Sequence, residues 1–148
     1  MTWNVYLSGE IHTDWREQIQ EGVQRAELDI QFMGPVTHHE KSDDVGASIF
    51  GEEEKQHWRD HKAARINAIR TSKGIQDADL IIVRFGNKFK QWNAAFDAGY
   101  AAALGIPFVT LHEGTLTHPL KEINAAAQAT AENPRQIVRL LQYLLTES

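Results

Sequence analysis

The sequence predicts a doubly wound, flavodoxin-like α/β fold in three layers, with a five-stranded parallel sheet in the order 2-1-3-4-5. Three observations carry this. Leu80–Val83 and Phe108–Leu111 are short apolar runs rich in β-branched residues, too short for helices and suited to strands buried on both faces. Between them Asn93–Leu104 is alanine-rich and is stopped by Gly105-Ile106-Pro107, so the three pieces form one βαβ crossover. The N-terminus repeats the arrangement: Trp3–Ser8 is a strand closed by Gly9, and from Asp14 an amphipathic helix carries Trp15, Ile19, Val23 and Ala26 at helical spacing.

The other elements are weaker. Asp29–Met33, ended by Gly34-Pro35, alternates enough for a second strand and suits a sheet edge. Glu52 to about Gly74 is the longest helical stretch, with Trp58, Ala63, Ile66 and Ile69 as its apolar stripe. After Leu111 come the loop His112-Glu113-Gly114, a short helix over His118–Asn124 and a short final strand over Ala125–Ala131. Asn133-Pro134 then caps a helix running to Leu145. The apolar face of that helix (Ile137, Val138, Leu140, Leu141, Leu144, Leu145) is wider than one contact needs and suits pairing with another subunit.

Composition narrows the function classes. With 148 residues, 42% of them hydrophobic, the chain is expected to form a single domain over residues 1–148. No apolar run approaches the ~18 residues of a membrane span and the N-terminus passes straight into a strand, so neither membrane nor signal peptide is expected. Zero cysteines exclude disulfides and thiolate chemistry and agree with a cytoplasmic protein. A net charge of −5 argues against a nucleic-acid polymer and favours a small ligand.

In a βαβ unit the loop after the strand and the start of the helix face the crevice where open α/β sheets bind ligands. Asn93 and Asp97, four residues apart, share one helix face there, and the helix dipole helps keep the Asp97 carboxylate ionised. The first loop, Ser8–Thr13, has one glycine and no dinucleotide fingerprint, and Glu10 and His12 have no need to be there for packing. No cofactor is expected. His38 and His39 lie in a polar loop with three acids, and His57 and His61 are four apart on a helix; neither pattern supplies a third ligand at defined spacing, so no metal is expected.

Asp97-Ala-Gly99-Tyr100-Ala101 followed by Leu104-Gly105-Ile-Pro107 resembles the Glu-x-Gly-Tyr-Ala … Gly-Lys-Pro signature of the nucleoside 2-deoxyribosyltransferase superfamily, most of all its small YtoQ branch. The superfamily includes nucleoside 5′-monophosphate N-glycosidases. The resemblance implies that Asp97 stands at the nucleophile position, one methylene shorter than the family's Glu. It implies that Tyr6 positions that carboxylate, with Gly9 beside it. It places His38 or His39 against base or sugar, and it implies a homodimer or larger assembly whose partner completes the pocket. Two further acids of the family pattern are replaced, by Thr71 on the long helix and by Gln91 in the crevice loop; Asn93 stands where a glycine is usual. Arg65, Asn67 or Arg70 are candidates to replace the first.

The reading that follows is N-glycosidic transfer or hydrolysis on a nucleoside or nucleotide, with Asp97 and Tyr6 catalytic and Gly9, Glu10, His38, Arg84, Gly86, Gln91 and Asn93 binding substrate. Arg84, Lys88 and Lys90 are candidate phosphate contacts. A non-catalytic nucleotide or nucleotide-sugar binding module stays open, because the acids that the resemblance implies at Thr71 and Gln91 are missing and neither Gln91 nor Asn93 is a general acid. Flavin binding is disfavoured, since the first loop lacks a phosphate cradle.

Overall fold

The computed structural model of the chain describes residues 1–35, 49, 51 and 56–147. Five strands form one all-parallel sheet: β1 (Trp3–Gly9), β2 (Ile30–Met33), β3 (Leu80–Arg84), β4 (Phe108–Leu111) and β5 (Ala129–Ala131). Their order is β2-β1-β3-β4-β5, the order predicted from sequence. The helices are α1 (Trp15–Arg25), α2 (Gln56–Gln76), α3 (Trp92–Leu104), α4 (Lys121–Ala126) and α5 (Pro134–Thr146). No helix among the described residues is long and apolar enough to cross a membrane.

Strand alternation sorts the core into two layers. Val5, Leu7, Leu80, Ile82, Val109 and Leu111 point to one face, where they meet Trp15, Ile19 and Val23 of α1 and Ile137 and Leu141 of α5. Tyr6, Ile81, Val83 and Phe108 point to the other, against Ile75 of α2 and Ala94, Ala98 and Ala101 of α3. Each large side chain so buried contributes about 1.5–3 kcal/mol. The alanine row of α3 adds little area, but it lets the helix backbone lie close to the sheet. α1 and α5 also pack tightly: a Cβ on Gly22 would stand 2.7 Å from Val138 Cγ2.

Several boundaries differ from the sequence reading. Residues 125 and 126 are helical, so β5 is only Ala129–Ala131, and a 3₁₀ turn (Gly114–Leu116) precedes α4. Ile69 is exposed, because the inward stripe of α2 runs Ala63, Asn67, Thr71, Ile75 at four-residue spacing. Two polar residues break its apolar pattern. As predicted, Asn133 caps α5, accepting from the Gln136 amide at 3.0 Å, and Gly105 ends α3 in the left-handed conformation.

β1 and β3 are the switch point, because the chain leaves β1 for one side of the sheet and continues beyond β3 on the other. Gly9 ends β1 with φ +115°, and a Cβ there would collide with the Arg84 carbonyl oxygen; the Glu10 amide bonds that same oxygen at 3.1 Å. Gly9→Ala is therefore expected to cost about 3 kcal/mol or more. Denaturant unfolding should show the lowered midpoint, and a wild-type midpoint would remove this constraint from the account.

Candidate functional site

A cleft of about 850 Å³ opens above the carboxyl end of β1. Gly9, Glu10 and His12 of the first loop line one side, and Asn67, Arg70 and Thr71 of α2 another. Phe89, Lys90 and Gln91, from the loop after β3, and Asn93, Asp97 and Tyr100 of α3 complete it.

The first loop is held from beneath. Arg16, only 8% exposed, donates to the carbonyls of Leu7 (Nη2, 3.1 Å), Gly9 (3.2 Å) and Glu10 (Nη1, 2.6 Å), and Trp15 Nε1 donates to Glu10 O at 2.7 Å. Burial brings the Arg16 pKa down to about 10, against the raising effect of the Glu10 anion. Glu10 itself is 5% exposed, and its carboxylate accepts from the Thr13 amide (2.8 Å), the Thr13 hydroxyl (2.5 Å) and the His12 amide. Burial alone pushes its carboxyl up; these hydrogen bonds and the charge of Arg84 outweigh that and leave it below the usual range. The expectation that Glu10 is free of packing duties is therefore corrected: both of its carboxylate oxygens hold the loop.

Asp97 lies in the second turn of α3, partly buried, and its Oδ2 accepts a 2.6 Å hydrogen bond from Ser8 Oγ. Burial raises its pKa and the Ser8 bond lowers it; burial wins. This corrects the sequence expectation, since the helix dipole fades beyond the first turn while desolvation does not. Tyr6 is 2% exposed beneath the cleft, where its ring fills the space beside Gly74 and its phenol pairs with Thr71. Burial pushes that phenol up, the Thr71 bond opposes, and the Asp97 charge adds to the rise. Among the described residues the hydrogen bond to Asp97 comes from Ser8 and not from Tyr6, so the partner expected from resemblance is replaced.

Gly9, Glu10, Gln91, Asn93 and Asp97 thus come together on the cleft. Gln91 Oε1 accepts from the Gly86 amide at 2.9 Å, bracing the crevice loop, and a Cβ on Gly86 would stand 2.9 Å from Glu10 Cγ. Arg84 does not line the cleft: it follows Leu80 and Ile82 in the strand alternation, toward the opposite face, and its Nη1 donates to Phe85 O. Of the cations named from sequence Lys90 lines the cleft, while Lys88 lies over the Phe89 ring. Thr71, Asn67 and Arg70 are at the cleft and Arg65 is not. His38 and His39, and the His57 side chain, lie outside the described residues.

Sequence reasoning missed Ser8, Arg16 and the pairing of Tyr100 Oη with Ser72 Oγ (3.0 Å) and Gln76 Nε2 (2.7 Å). Ser8 carried one signal: it lies two residues beyond Tyr6 on the same strand face. Among the described residues no group of three or more His, Cys, Asp or Glu side chains could hold a metal ion.

Residues 6–145 match the family model described as nucleoside 2-deoxyribosyltransferase YtoQ. The chain is 43% identical over 144 residues to the uncharacterized protein YtoQ of Bacillus subtilis (strain 168), covering 97% of each. Among solved structures it is similar to the 2-deoxyribosyltransferase of Bacillus psychrosaccharolyticus, with a TM-score of 0.54 and 13% identity over 91% of this chain and 90% of the other. A conserved protein from Enterococcus faecalis V583 gives a TM-score of 0.61 and 12% identity over 98% of this chain and 100% of the other. At such identities these two likenesses show the fold.

The raised Asp97 pKa makes a stability prediction. The unfolded carboxyl titrates near 3.8, so keeping the folded one ionised at neutral pH costs stability, which is regained as pH falls through the folded pKa. Asp97→Asn is expected to be more stable at pH 7 by about 0.5–2 kcal/mol, or a few degrees in Tm, with the gain shrinking on acidification. Thermal unfolding of both proteins across pH checks this, and a destabilised Asn variant at pH 7 contradicts it.

Proposed function

We propose a function from one premise, that the chain belongs to the nucleoside 2-deoxyribosyltransferase YtoQ family. Family and fold point to glycosyl transfer. The finer reading is cleavage of the N-glycosidic bond of a nucleoside or nucleotide by Asp97. The observation that supports it is a desolvated carboxylate, held by one hydroxyl, lining an open cleft at the switch point of the sheet.

Desolvation raises the energy of the anion, and positive charge growing at an adjacent anomeric carbon relieves it, so the interaction strengthens toward the transition state. The C1′–N bond breaks as a bond from C1′ to a carboxylate oxygen of Asp97 forms, and the departing base takes a proton from solvent in the cleft. Water or a second base then displaces Asp97 from C1′, giving hydrolysis or transfer with retained configuration. Asn93 and Gln91 supply neutral pairing groups, Gln91 through its amide nitrogen, since its oxygen is engaged. Arg70 and Lys90 at the cleft give a 5′-phosphate two cationic partners.

A non-catalytic nucleotide-binding module on the same cleft has one observation in its favour. Thr71, Gln91 and Asn93 are neutral, which leaves no second acid among them to protonate a base. Incubation with nucleosides and nucleoside 5′-monophosphates, with and without acceptor bases, separates the two readings. Wild type should release base, and Asp97→Ala and Asp97→Asn should lose about 10³-fold or more in rate. Ligand binding by all three proteins with no base release would establish the module instead.

Self-association is part of the proposal, with its seat on α3 as well as α5. Trp92 and Phe96 are 76% and 74% exposed, and Gly99, Ala102 and Ala103 continue the exposed side of α3 without a charge. Bulky residues near one end and small ones near the other make this stripe complementary to a second copy of itself about a two-fold axis, and Phe96 also lines the cleft. Trp92→Ala/Phe96→Ala is expected to shift the chain to monomer in sedimentation analysis; an unchanged mass places any interface elsewhere.

A further inference from the structure

We infer that Ser8 is the positioning residue for Asp97, fixing one carboxylate oxygen so that the other is the one presented for reaction. This rests on the glycosidic reading of the cleft and adds to it the group that aims the carboxylate. Ser8 is completely buried, one residue before the end of β1, paired in the sheet with Val83. Its hydroxyl therefore rides on a strand that is held by β3 at this position and by β2 over Trp3–Tyr6. The 2.6 Å contact from Oγ to Asp97 Oδ2 is at the short end for a hydroxyl on a carboxylate, as charge assistance requires.

A serine has one proton to donate, and here it is committed to Oδ2. Among the described residues Ser8 is the hydrogen-bond donor to Asp97, so Oδ1 keeps its lone pairs. The side chain lines the cleft, and α3 itself is seated against the sheet by Ala94, Ala98 and Ala101. Helix position sets where the carboxylate is; Ser8 sets which way it turns about its last bond. A short acid has few rotamers, so one anchor is enough to select among them. Tyr6, two residues earlier on the same strand face, is not that anchor: it feels the Asp97 charge, and the hydrogen bond to Asp97 comes from Ser8.

The test uses Ser8→Ala and Ser8→Thr in the full chain, with thermal unfolding to confirm that each is folded. Ser8→Thr keeps the hydroxyl and covers the case in which the alanine variant fails to fold. Two readouts are taken. A ¹³C NMR titration follows the Asp97 carboxyl without any turnover, and pH–rate profiles follow base release. Because Ser8 stabilises the ionised form, its removal should move the Asp97 titration and the acidic limb of the profile to higher pH. It should also lower kcat about 10- to 10²-fold with KM little changed, while Ser8→Thr retains most of the wild-type behaviour. An Asp97 titration that stays put in Ser8→Ala overturns the inference, as does a Ser8→Thr variant that behaves like Ser8→Ala. If wild type releases no base from any substrate while the titration still moves, the glycosidic reading falls and the Ser8–Asp97 pairing stands.

Discussion

A carboxylate half withdrawn from water and bonded to a single buried hydroxyl is the constraint around which this molecule is arranged. The Ser8–Asp97 contact joins the end of β1 to the second turn of α3, two elements 89 residues apart in sequence. Such a group is expensive to keep ionised unless the surroundings are rigid enough to prevent it from turning to solvent. The rigidity is visible on both sides. β1 is a central strand between β2 and β3, and α3 is drawn onto the sheet by a row of alanines.

The loop beside that contact is held with equal economy. Arg16 bonds three carbonyls around the turn, those of Leu7, Gly9 and Glu10, while the Glu10 side chain satisfies amides at His12 and Thr13. Two residues of opposite charge thus brace the turn, one by its side chain from below and the other from within. The wall so formed faces Thr71 and Asn67 across the cleft. The Asp97 carboxylate shares this cleft with the neutral side chains of Asn67, Thr71, Gln91 and Asn93 and with the charged ones of Glu10, Asp60, Arg70 and Lys90. Its desolvation favours a reaction in which positive charge appears beside it, which is the demand of glycosidic cleavage.

How much of this could be read from the residues follows from the range of the forces involved. The individual strands, α3 with its glycine stop and the Asn133 cap rest on local pattern, and the sheet order follows from the alternation of strands and helices that defines the fold class; all were legible. β5 was misread because three short residues carry almost no period, so the boundary fell four residues early, inside α4. Asp97 and Asn93 were placed at the crevice by the βαβ rule, and Gly9 and Gln91 were added by resemblance; all four line the cleft. Ser8, Arg16 and the engagement of Glu10 were not legible, since each depends on a side chain meeting a partner whose distance follows only from the folded turn. Arg84 shows a related effect: its position in the loop order is right for the cleft, but it is not among the residues that line it, because strand alternation turns it to the other face.

Whether Asp97 is the group facing the sugar carbon is decided by a crystal structure of the Asp97→Asn protein holding an intact nucleoside. The anomeric carbon is expected within about 3.5 Å of the side-chain amide nitrogen of residue 97, which stands where the carboxylate oxygen left free by Ser8 stands in the wild type, with the base toward Gln91 and Asn93. A nucleoside seated with its base against residue 97, or with its sugar outside the cleft, contradicts it.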